Sequence, residues 1–156
     1  MEGKIRKANQ NDLQKINKLL YEVQKVHSDA RPDLFRAGTK KYTDEQLKSI
    51  LENARTPVFV FEKGEEILGY AFCIFKQELS NTLMPVKTLY IDDLCVDECA
   101  RGEHVGTELY HFVLDYARKS DCYNVTLNVW ADNTKAVKFY QAIGMRVQKI
   151  GMEKIL

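Results

Sequence analysis

A short turn at residues 101–106, Arg-Gly-Glu-His-Val-Gly, has the features of a phosphate-binding loop. It follows an apolar run typical of a strand, residues 89–96, and precedes apolar side chains at helical spacing. The first N–H groups of a helix have no partner within it, and the helix dipole favours an anion there by about 0.3–2 kcal/mol. Gly102 and Gly106 let the backbone approach a ligand, and Arg101 adds a forked cation. The turn therefore predicts an anion site, although a glycine turn of this kind is weak evidence on its own.

Two adjacent carboxylates lie upstream of this turn, in the strand predicted for residues 86–96. Side chains alternate along a strand, so we expect Asp92 and Asp93 on opposite faces. A carboxylate can recruit a cation or accept a proton through water. We assign that role to Asp92, with a solvated or structural carboxylate as the alternative, and expect Asp93 to cap or pair within the fold.

The elements that position these residues follow from periodicity and from capping signals. A capping box from Thr43 to Gln46 begins the second of four predicted helices, the third covers residues 104–119, and Asn133 and Gly144 bound the last. The strand-like segments are residues 4–8, 58–61, 67–75, 86–96, 123–129 and 146–156. This order predicts an α+β fold with a mostly antiparallel sheet, in which the second and third segments form a hairpin.

Size and composition limit the kinds of protein that the chain can form. Its 156 residues suit one compact domain, residues 1–156, and 45% hydrophobic residues suffice for a continuous core. A formal net charge of +1 gives no reason to expect a nucleic acid or a membrane as a partner. No apolar run approaches the ~20 residues of a membrane span, and the N-terminus has no apolar signal-peptide region. We therefore expect a soluble, cytoplasmic protein.

The cysteines and histidines give no metal-binding pattern. Four cysteines form no Cys-x-x-Cys pair and have no histidine at zinc spacing: Cys73, Cys95, Cys99 and Cys122. We expect buried, reduced thiols and no metal. His27 and His111 are expected at the surface.

A second motif, at residues 133–144, makes the interpretation of the turn at 101–106 more specific. The strand at 89–96, then Arg-x-x-x-x-Gly, then Asn-x-x-Ala-x-x-Phe-Tyr-x-x-x-Gly resembles the GNAT superfamily of acyl-CoA-dependent N-acetyltransferases. The resemblance is specific from Tyr90 to Met145. It implies a single acetyltransferase domain with a mixed, mostly antiparallel sheet of about six to seven strands and about four helices. We also expect a homodimer.

The resemblance implies a role for each matching residue. It places the pantetheine arm of acetyl-CoA on the backbone at a strand bulge, at Leu94, Cys95 and Val96. It places the pyrophosphate on the amides of Arg101, Gly102, Glu103, His104, Val105, Gly106 and Thr107. Asn133 should reach the coenzyme arm, and Tyr140 should act as general acid, although spacing alone would also suit a core aromatic.

One residue departs from the family pattern. The middle glycine of the usual Arg/Gln-x-x-Gly-x-Gly/Ala motif is His104 here. That glycine keeps a side chain away from the phosphates. The imidazole either points to solvent or meets a phosphate, in which case its pKa should be raised.

The implied reaction is attack of an amine on a thioester. A primary amine with a pKa near 10.4 is only about one part in 2,500 neutral at pH 7, a cost of about 4–5 kcal/mol. The resemblance supports Asp92 as the group that helps to remove the proton from the amine, because diamine and polyamine acetyltransferases carry an acidic residue at the matching position. The departing thiolate, whose thiol has a pKa near 8.5, can take a proton from the Tyr140 phenol. A backbone N–H at the bulge is the candidate oxyanion donor.

The residues that could bind the acceptor amine form a less specific pattern. The loop at residues 31–36 carries Asp33 and Phe35, and Trp130 follows the strand at 123–129; each is either a pocket residue or an ordinary structural one. A small amine, such as a diamine or polyamine, is the predicted acceptor. The alternatives are an amine on a protein and a non-catalytic acyl-CoA-binding or sensing module.

Overall fold

The computed structural model describes residues 2–156 and contains one sheet of five strands. The strands lie in the sheet in the same order as along the chain. The strands are β1 (Lys4–Lys7), β2 (Val58–Lys63), β3 (Glu66–Gln77), β4 (Lys87–Val96) and β5 (Asn124–Leu127). The helices are α1 (Leu13–Ala30), α2 (Asp44–Glu52), α3 (Val105–Lys119) and α4 (Thr134–Ala142). Strands β1 to β4 pair antiparallel, and β4 pairs parallel with β5. The α+β fold with a mostly antiparallel sheet is thus confirmed.

Helices cover both faces of the sheet. On one face, which we call the α1/α2 face, Ile16 and Leu47 pack against Tyr70 of β3. On the other, the α3 face, Leu109 packs in the cluster that contains Ile91 of β4. Each such buried aliphatic side chain contributes about 1.5–3 kcal/mol through the hydrophobic effect. Because β4 lies between the two layers, the direction of each of its side chains decides which environment that side chain enters.

The strand count is lower than predicted, five rather than six to seven within the described residues. Residues 146–156, predicted to be strand-like, carry no regular secondary structure. The physical reason is that no backbone partner reaches them, since no backbone hydrogen bond joins this segment to the rest of residues 2–156. Boundaries elsewhere differ by a few residues, as in β5, which is shorter than the predicted 123–129.

The thiols are only partly as expected. All four cysteines are free, and Cys73 and Cys95 are buried, with the pKa of each thiol raised by burial to about 12. Cys99 is exposed on the short helical turn Glu98–Ala100, and Cys122 is half-buried. None of the helices within residues 2–156 is long and apolar enough to span a membrane.

Candidate active site

The parallel strands β4 and β5 separate halfway along β4. Their pairing ends at Ile91 and Leu127, while β4 continues to Val96. On its other side β4 stays paired with β3 as far as Gly69 and Val96. The backbone of β4 beyond Ile91 therefore presents an open edge on the β5 side, where an extended ligand could pair as a strand would. This edge contains the predicted pantetheine positions Leu94 and Val96.

A β-bulge interrupts β4 at the point where the strands separate. Phe72 pairs with Asp93 and Cys73 pairs with Ile91, so Asp92 is an extra residue. The predicted bulge at residues 94–96 is thus wrong by at least two positions. A bulge places two successive residues opposite one, which breaks the alternation of side chains.

The bulge brings both carboxylates to the α1/α2 face, so the predicted opposite orientation is wrong. Asp93 accepts a hydrogen bond of 2.8 Å from the hydroxyl of Tyr70, which is buried on that face. Asp92 lies 3.3 Å from the ammonium group of Lys41, which also donates to the Asp92 carbonyl at 2.8 Å. The adjacent Tyr42 packs against the same face.

The two carboxylates have different environments. Burial raises the pKa of Asp93 to about 6, with the charge of Asp92 adding to the effect and Lys41 and the Tyr70 hydroxyl opposing it. Asp92 instead has a direct cationic partner in Lys41. Asp93 pairs within the fold, as expected, through its bond from Tyr70. Sequence reasoning did not find that Asp93 shares a face with Asp92, since a bulge leaves no mark in the residue pattern, and it missed Lys41, which lies in the connection between α1 and α2. A pair of adjacent acids before the turn at 101–106 was the available signal.

Tyr140 extends from α4 towards these carboxylates. It is half-buried, its ring contacts Phe139 at 5.1 Å between centroids, and its hydroxyl makes no hydrogen bond within residues 2–156. Burial raises its pKa above the ordinary value, and the negative charge of Asp93 raises it further. The phenol thus keeps its proton at neutral pH and is close enough to Asp93 for their charges to interact. An unpaired phenol of this kind can donate a proton to a ligand.

The turn at 101–106 leads into α3 as predicted. Within residues 2–156 the amides of Val105, Gly106 and Thr107 make no hydrogen bond, and Glu108 is the first to bond back, to the His104 carbonyl at 3.0 Å. Arg101 is exposed beside them. Three free amides at a helix start, next to an arginine, form the donor set that a pyrophosphate requires.

His104 adopts the left-handed backbone conformation that explains why glycine is usual at its position. Its φ is +63°, and that of Gly102 is +88°. The left-handed region costs a residue with a Cβ about 1–2 kcal/mol. The imidazole is exposed and does not cap α3, which fits the solvent-facing alternative.

Gly106 lies at a close contact between the start of α3, α4 and β4. A Cβ there would lie 3.3 Å from the Phe139 ring and 3.4 Å from a methyl of Val96. The missing side chain lets α4 approach β4 and the start of α3. Gly106 therefore brings the turn at 101–106 close to the helix that carries Tyr140.

A cavity of about 210 Å³ lies between the end of α1 and the start of α4. Phe35 stacks on His27 at 4.9 Å and meets Trp130 edge-on at 5.1 Å. The guanidinium of Arg31 holds Asp33 through bonds of 3.0 and 2.8 Å. The structure thus brings the three predicted acceptor residues to one place.

Two further residues connect this cavity to the rest of the site. His27, expected at the surface, is half-buried, and burial and then the charge of Lys41 lower its pKa. Lys41 therefore lies close to both the cavity and the carboxylates. Asn133 also lines the cavity; its side-chain oxygen accepts from the Ala136 amide at 3.3 Å, which caps α4 and leaves its NH₂ group available.

No cluster of three or more histidine, cysteine, aspartate or glutamate side chains that could hold a metal ion occurs within residues 2–156. The predicted binding role of Cys95 can involve only its backbone, because its thiol is buried on the α1/α2 face and directed at the Leu19 carbonyl, 3.8 Å away. Glu103 is exposed, and its carboxylate lies 3.6 Å from the Lys63 ammonium group.

Comparison with known proteins adds independent information. The chain is 31% identical over 88 residues to GCN5-related N-acetyltransferase 6, chloroplastic, of Arabidopsis thaliana, covering 56% of this chain and 29% of that protein. The chain thus spans less than a third of that relative's length. A single-residue mutant of the BH1408 protein from Bacillus halodurans has a similar structure, with a TM-score of 0.94 and 31% identity over 98% of this chain and 99% of that one.

The same fold occurs with a bound coenzyme. Aminoglycoside N-acetyltransferase AAC(6')-Iy, solved in complex with CoA, has a TM-score of 0.71 and 16% identity over 98% of each chain. The Acetyltransferase (GNAT) family model matches residues 21–145, which include the open edge of β4, the turn before α3 and the helix that carries Tyr140. The chain belongs to the acetyltransferase (GNAT) family.

Proposed function

We propose that this protein is an acetyl-CoA-dependent N-acetyltransferase that transfers the acetyl group directly to a small amine. The observation that carries the proposal is one junction, where β4 separates from β5. There the open β4 edge lies near the half-buried carboxylate of Asp93, the unpaired phenol of Tyr140 and the free amides at the start of α3.

The residues present fit coenzyme A. The amides of Val105, Gly106 and Thr107 with Arg101 would hold the pyrophosphate, and the β4 edge at Leu94–Val96 would pair with the pantetheine arm. The bound coenzyme supplies an activated acyl group. Asn133 would donate a hydrogen bond from its free NH₂ group to the pantetheine arm.

Proton transfer within the site would use two of the chain's own groups. The Asp93 oxygen that does not accept from Tyr70 would take the proton of the ammonium substrate, either directly or through water. Its pKa of about 6 leaves it mostly ionised at pH 7 and close to the optimum for a general base. The Tyr140 hydroxyl would give a proton to the departing sulfur. Asp92, paired with Lys41, would act on the substrate mainly through its charge.

The acceptor would be small and cationic. The 210 Å³ cavity is below the range of about 300–1,000 Å³ that is usual for drug-sized ligands. Its aromatic faces at Phe35 and Trp130 suit a cation, and Asp92 and Asp93 add negative charge beyond it. A diamine or polyamine has this chemistry. An amine on a protein, or binding of an acyl-CoA without transfer, are the alternatives.

The test combines acetyl-CoA binding with turnover on a panel of amines. We expect acetyl-CoA to raise the melting temperature and small diamines to release coenzyme A. Tyr140→Phe should keep the thermal shift and lose at least about 100-fold in kcat. Asp93→Asn should lose more kcat/KM than the matched Asp92→Asn. The absence of a thermal shift would refute the proposal, while a shift without turnover of any amine would favour the binding module.

A further inference from the structure

One lysine of the protein lies beside the carboxylates that would meet an acceptor amine. The ammonium group of Lys41 donates to the Asp92 carbonyl at 2.8 Å and lies 3.3 Å from the Asp92 carboxylate. Asp92 is the bulged residue of β4 and the first residue beyond the pairing of β4 with β5, which ends at Ile91. A primary amine of the chain itself is therefore held where the open β4 edge begins.

The charge of Lys41 also acts on the proposed base. Burial raises the pKa of Asp93, and the positive charge of Lys41 is the largest of the influences that oppose this. Burial likewise raises the pKa of Tyr140, and the negative charge of Asp93 raises it further. The Lys41 ammonium and the Tyr140 phenol thus both interact with one carboxylate. An amine, a base and an acid grouped in this way are the chain's own requirements for direct transfer to an amine.

The residues that follow Lys41 fix its position. Tyr42 stacks on Phe72 of β3 with 5.2 Å between ring centroids, and Phe72 pairs in register with Asp93. Thr43 then begins α2 through its capping box. The backbone after Lys41 is therefore held against the strands that carry the carboxylates, while 41% of the lysine side chain is exposed. A fixed backbone with an accessible, flexible side chain can present its amine to a ligand on the β4 edge.

The preceding lysine shows that this placement is specific. The ammonium group of Lys40 donates to the side-chain oxygen of Asn17 at 2.7 Å and to the carboxylate of Asp44. These partners lie on α1 and at the start of α2, away from β4. Only 14% of the Lys40 side chain is exposed. Of two lysines adjacent in sequence, Lys41 is thus the one that contacts the carboxylates of the site.

We propose that Lys41 is an internal acetyl acceptor, to which the protein transfers an acetyl group from acetyl-CoA. This rests on the proposed function, because the same site would supply the acetyl group, the base and the acid. The Lys41 ammonium would lose a proton to Asp93, and its nitrogen would bond to the acetyl carbon as the carbon–sulfur bond breaks. Tyr140 would protonate the departing sulfur and recover a proton from the new amide nitrogen. The products are N-acetyl-lysine, coenzyme A and one proton, which Asp93 releases to solvent.

Attachment to the chain favours Lys41 over an amine in solution. Groups held in a reactive geometry behave as if they were present at up to about 10⁵–10⁸ M in the best intramolecular reactions. The transfer would also remove the positive charge that pairs with Asp92. Because an amide forms no ion pair, Asp92 and Asp93 would then both be left to attract a cationic acceptor. Acetylation of Lys41 would thus convert a site that holds its own ammonium group into one that is open to an external one.

Mass spectrometry of the intact protein, incubated with acetyl-CoA and no added amine, tests the proposal. We expect a gain of one acetyl group per chain, which peptide mapping assigns to Lys41. The gain should be absent from Lys41→Arg, which keeps the charge but has no primary amine, and present in the matched variant Lys40→Arg. Circular dichroism confirms that both variants are folded. The rate per molecule should not change with protein concentration, because the transfer occurs within one chain; a rate that rises with concentration would contradict this.

The acid of the site separates this transfer from chemical acetylation of surface lysines. Lys25 on α1 has a side chain that is 75% exposed, so it reports acetylation that needs no site. Tyr140→Phe should slow the gain at Lys41 by at least about 100-fold and leave any gain at Lys25 unchanged. Equal acetylation of Lys41 and Lys25, or a rate at Lys41 that Tyr140→Phe does not alter, would overturn the proposal.

The amine panel distinguishes failure of this inference from failure of the proposed function. If acetyl-CoA raises the melting temperature and amines are turned over while Lys41 stays unmodified, internal transfer is wrong and the proposed function stands. If acetyl-CoA gives no thermal shift, the proposed function is wrong, and internal transfer is wrong with it.

Discussion

Replacing Asp93 by asparagine should stabilise the fold at neutral pH while it reduces activity. Burial raises the pKa of Asp93 from 3.8 to about 6. One pKa unit corresponds to about 1.36 kcal/mol, so the ionised carboxylate lowers the free energy of unfolding by about 3 kcal/mol. Asparagine removes the charge and keeps an oxygen that can accept from Tyr70, whose hydroxyl is 2.8 Å from the Asp93 carboxylate.

The sign of the pH dependence follows from proton binding. Between pH 3.8 and about 6 the folded protein binds more protons at Asp93 than the unfolded chain does. The free energy of unfolding contributed by this group therefore falls as pH rises through that window. The gain from Asp93→Asn should be near zero below pH 3.8 and reach about 3 kcal/mol above pH 6.

Urea unfolding at several pH values, with Asp92→Asn as the matched control, measures this difference. The control removes the partner of Lys41 rather than a buried charge, so no comparable gain is expected. A gain from Asp93→Asn that is equal at pH 4 and pH 7 would mean that asparagine simply packs better. A net loss of stability at pH 7 would refute the argument that burial dominates at Asp93.

Three further predictions concern the surroundings of the site. Lys41→Gln removes a charge that lowers the pKa of Asp93, so the acid limb of the pH profile of kcat/KM should move to higher pH. An acid limb that does not move would exclude Asp93 as the base. His104→Gly should raise the free energy of unfolding by about 0.5–1 kcal/mol in urea titrations, because glycine tolerates positive φ. Asp121 has a φ of +59° and lies away from the turn, so Asp121→Gly measures the same relief of backbone strain at a second position. If either variant were no more stable than the parent, the argument from positive φ would be wrong. Gly106→Val should destabilise the fold by about 1–3 kcal/mol and weaken acetyl-CoA binding, because the added side chain meets Phe139 and Val96. An acetyl-CoA affinity equal to that of the parent, measured by calorimetry, would exclude the effect on binding.

The parts of the fold that could be predicted have local causes. The Thr43 capping box forms with both of its hydrogen bonds, and Asn133 caps α4 through its side-chain oxygen. Gly144 follows the end of α4 with a φ of +105°, the conformation for which glycine is used there. Each of these signals involves residues within a few positions of one another, so a single sequence contains the information.

The bulge at Asp92 could not be predicted because its cause is not local. An extra residue in β4 is visible only once the register with β3 is known, and register depends on the packing of both sheet faces. The bulge places Asp93 on the same face as Asp92, where it accepts a hydrogen bond from Tyr70. The motifs predicted which segments would lie near one another, but they could not predict that both carboxylates share a face.

The segment at residues 146–156 shows a different limit. Its residues have strand propensity, and the prediction of a strand there is consistent with that propensity. A strand also needs a partner, and within residues 2–156 this segment makes no backbone hydrogen bond. Propensity therefore predicts a strand here only where a backbone edge is available to pair with it.

The bulge also explains how one small site can hold a base and an acid that are both in the correct state at neutral pH. Burial raises the pKa of Asp93 only to about 6, because Lys41 and the Tyr70 hydroxyl oppose it, so the carboxylate is still ionised at pH 7. Burial raises the pKa of the Tyr140 phenol and that retained charge raises it further, so the phenol stays protonated. Two groups whose pKa values lie on either side of neutrality can serve as base and acid respectively. We therefore expect kcat/KM to rise with pH near 6 and to show no loss from Tyr140 up to about pH 10. A decline below about pH 9 that Tyr140→Phe abolishes would contradict this arrangement.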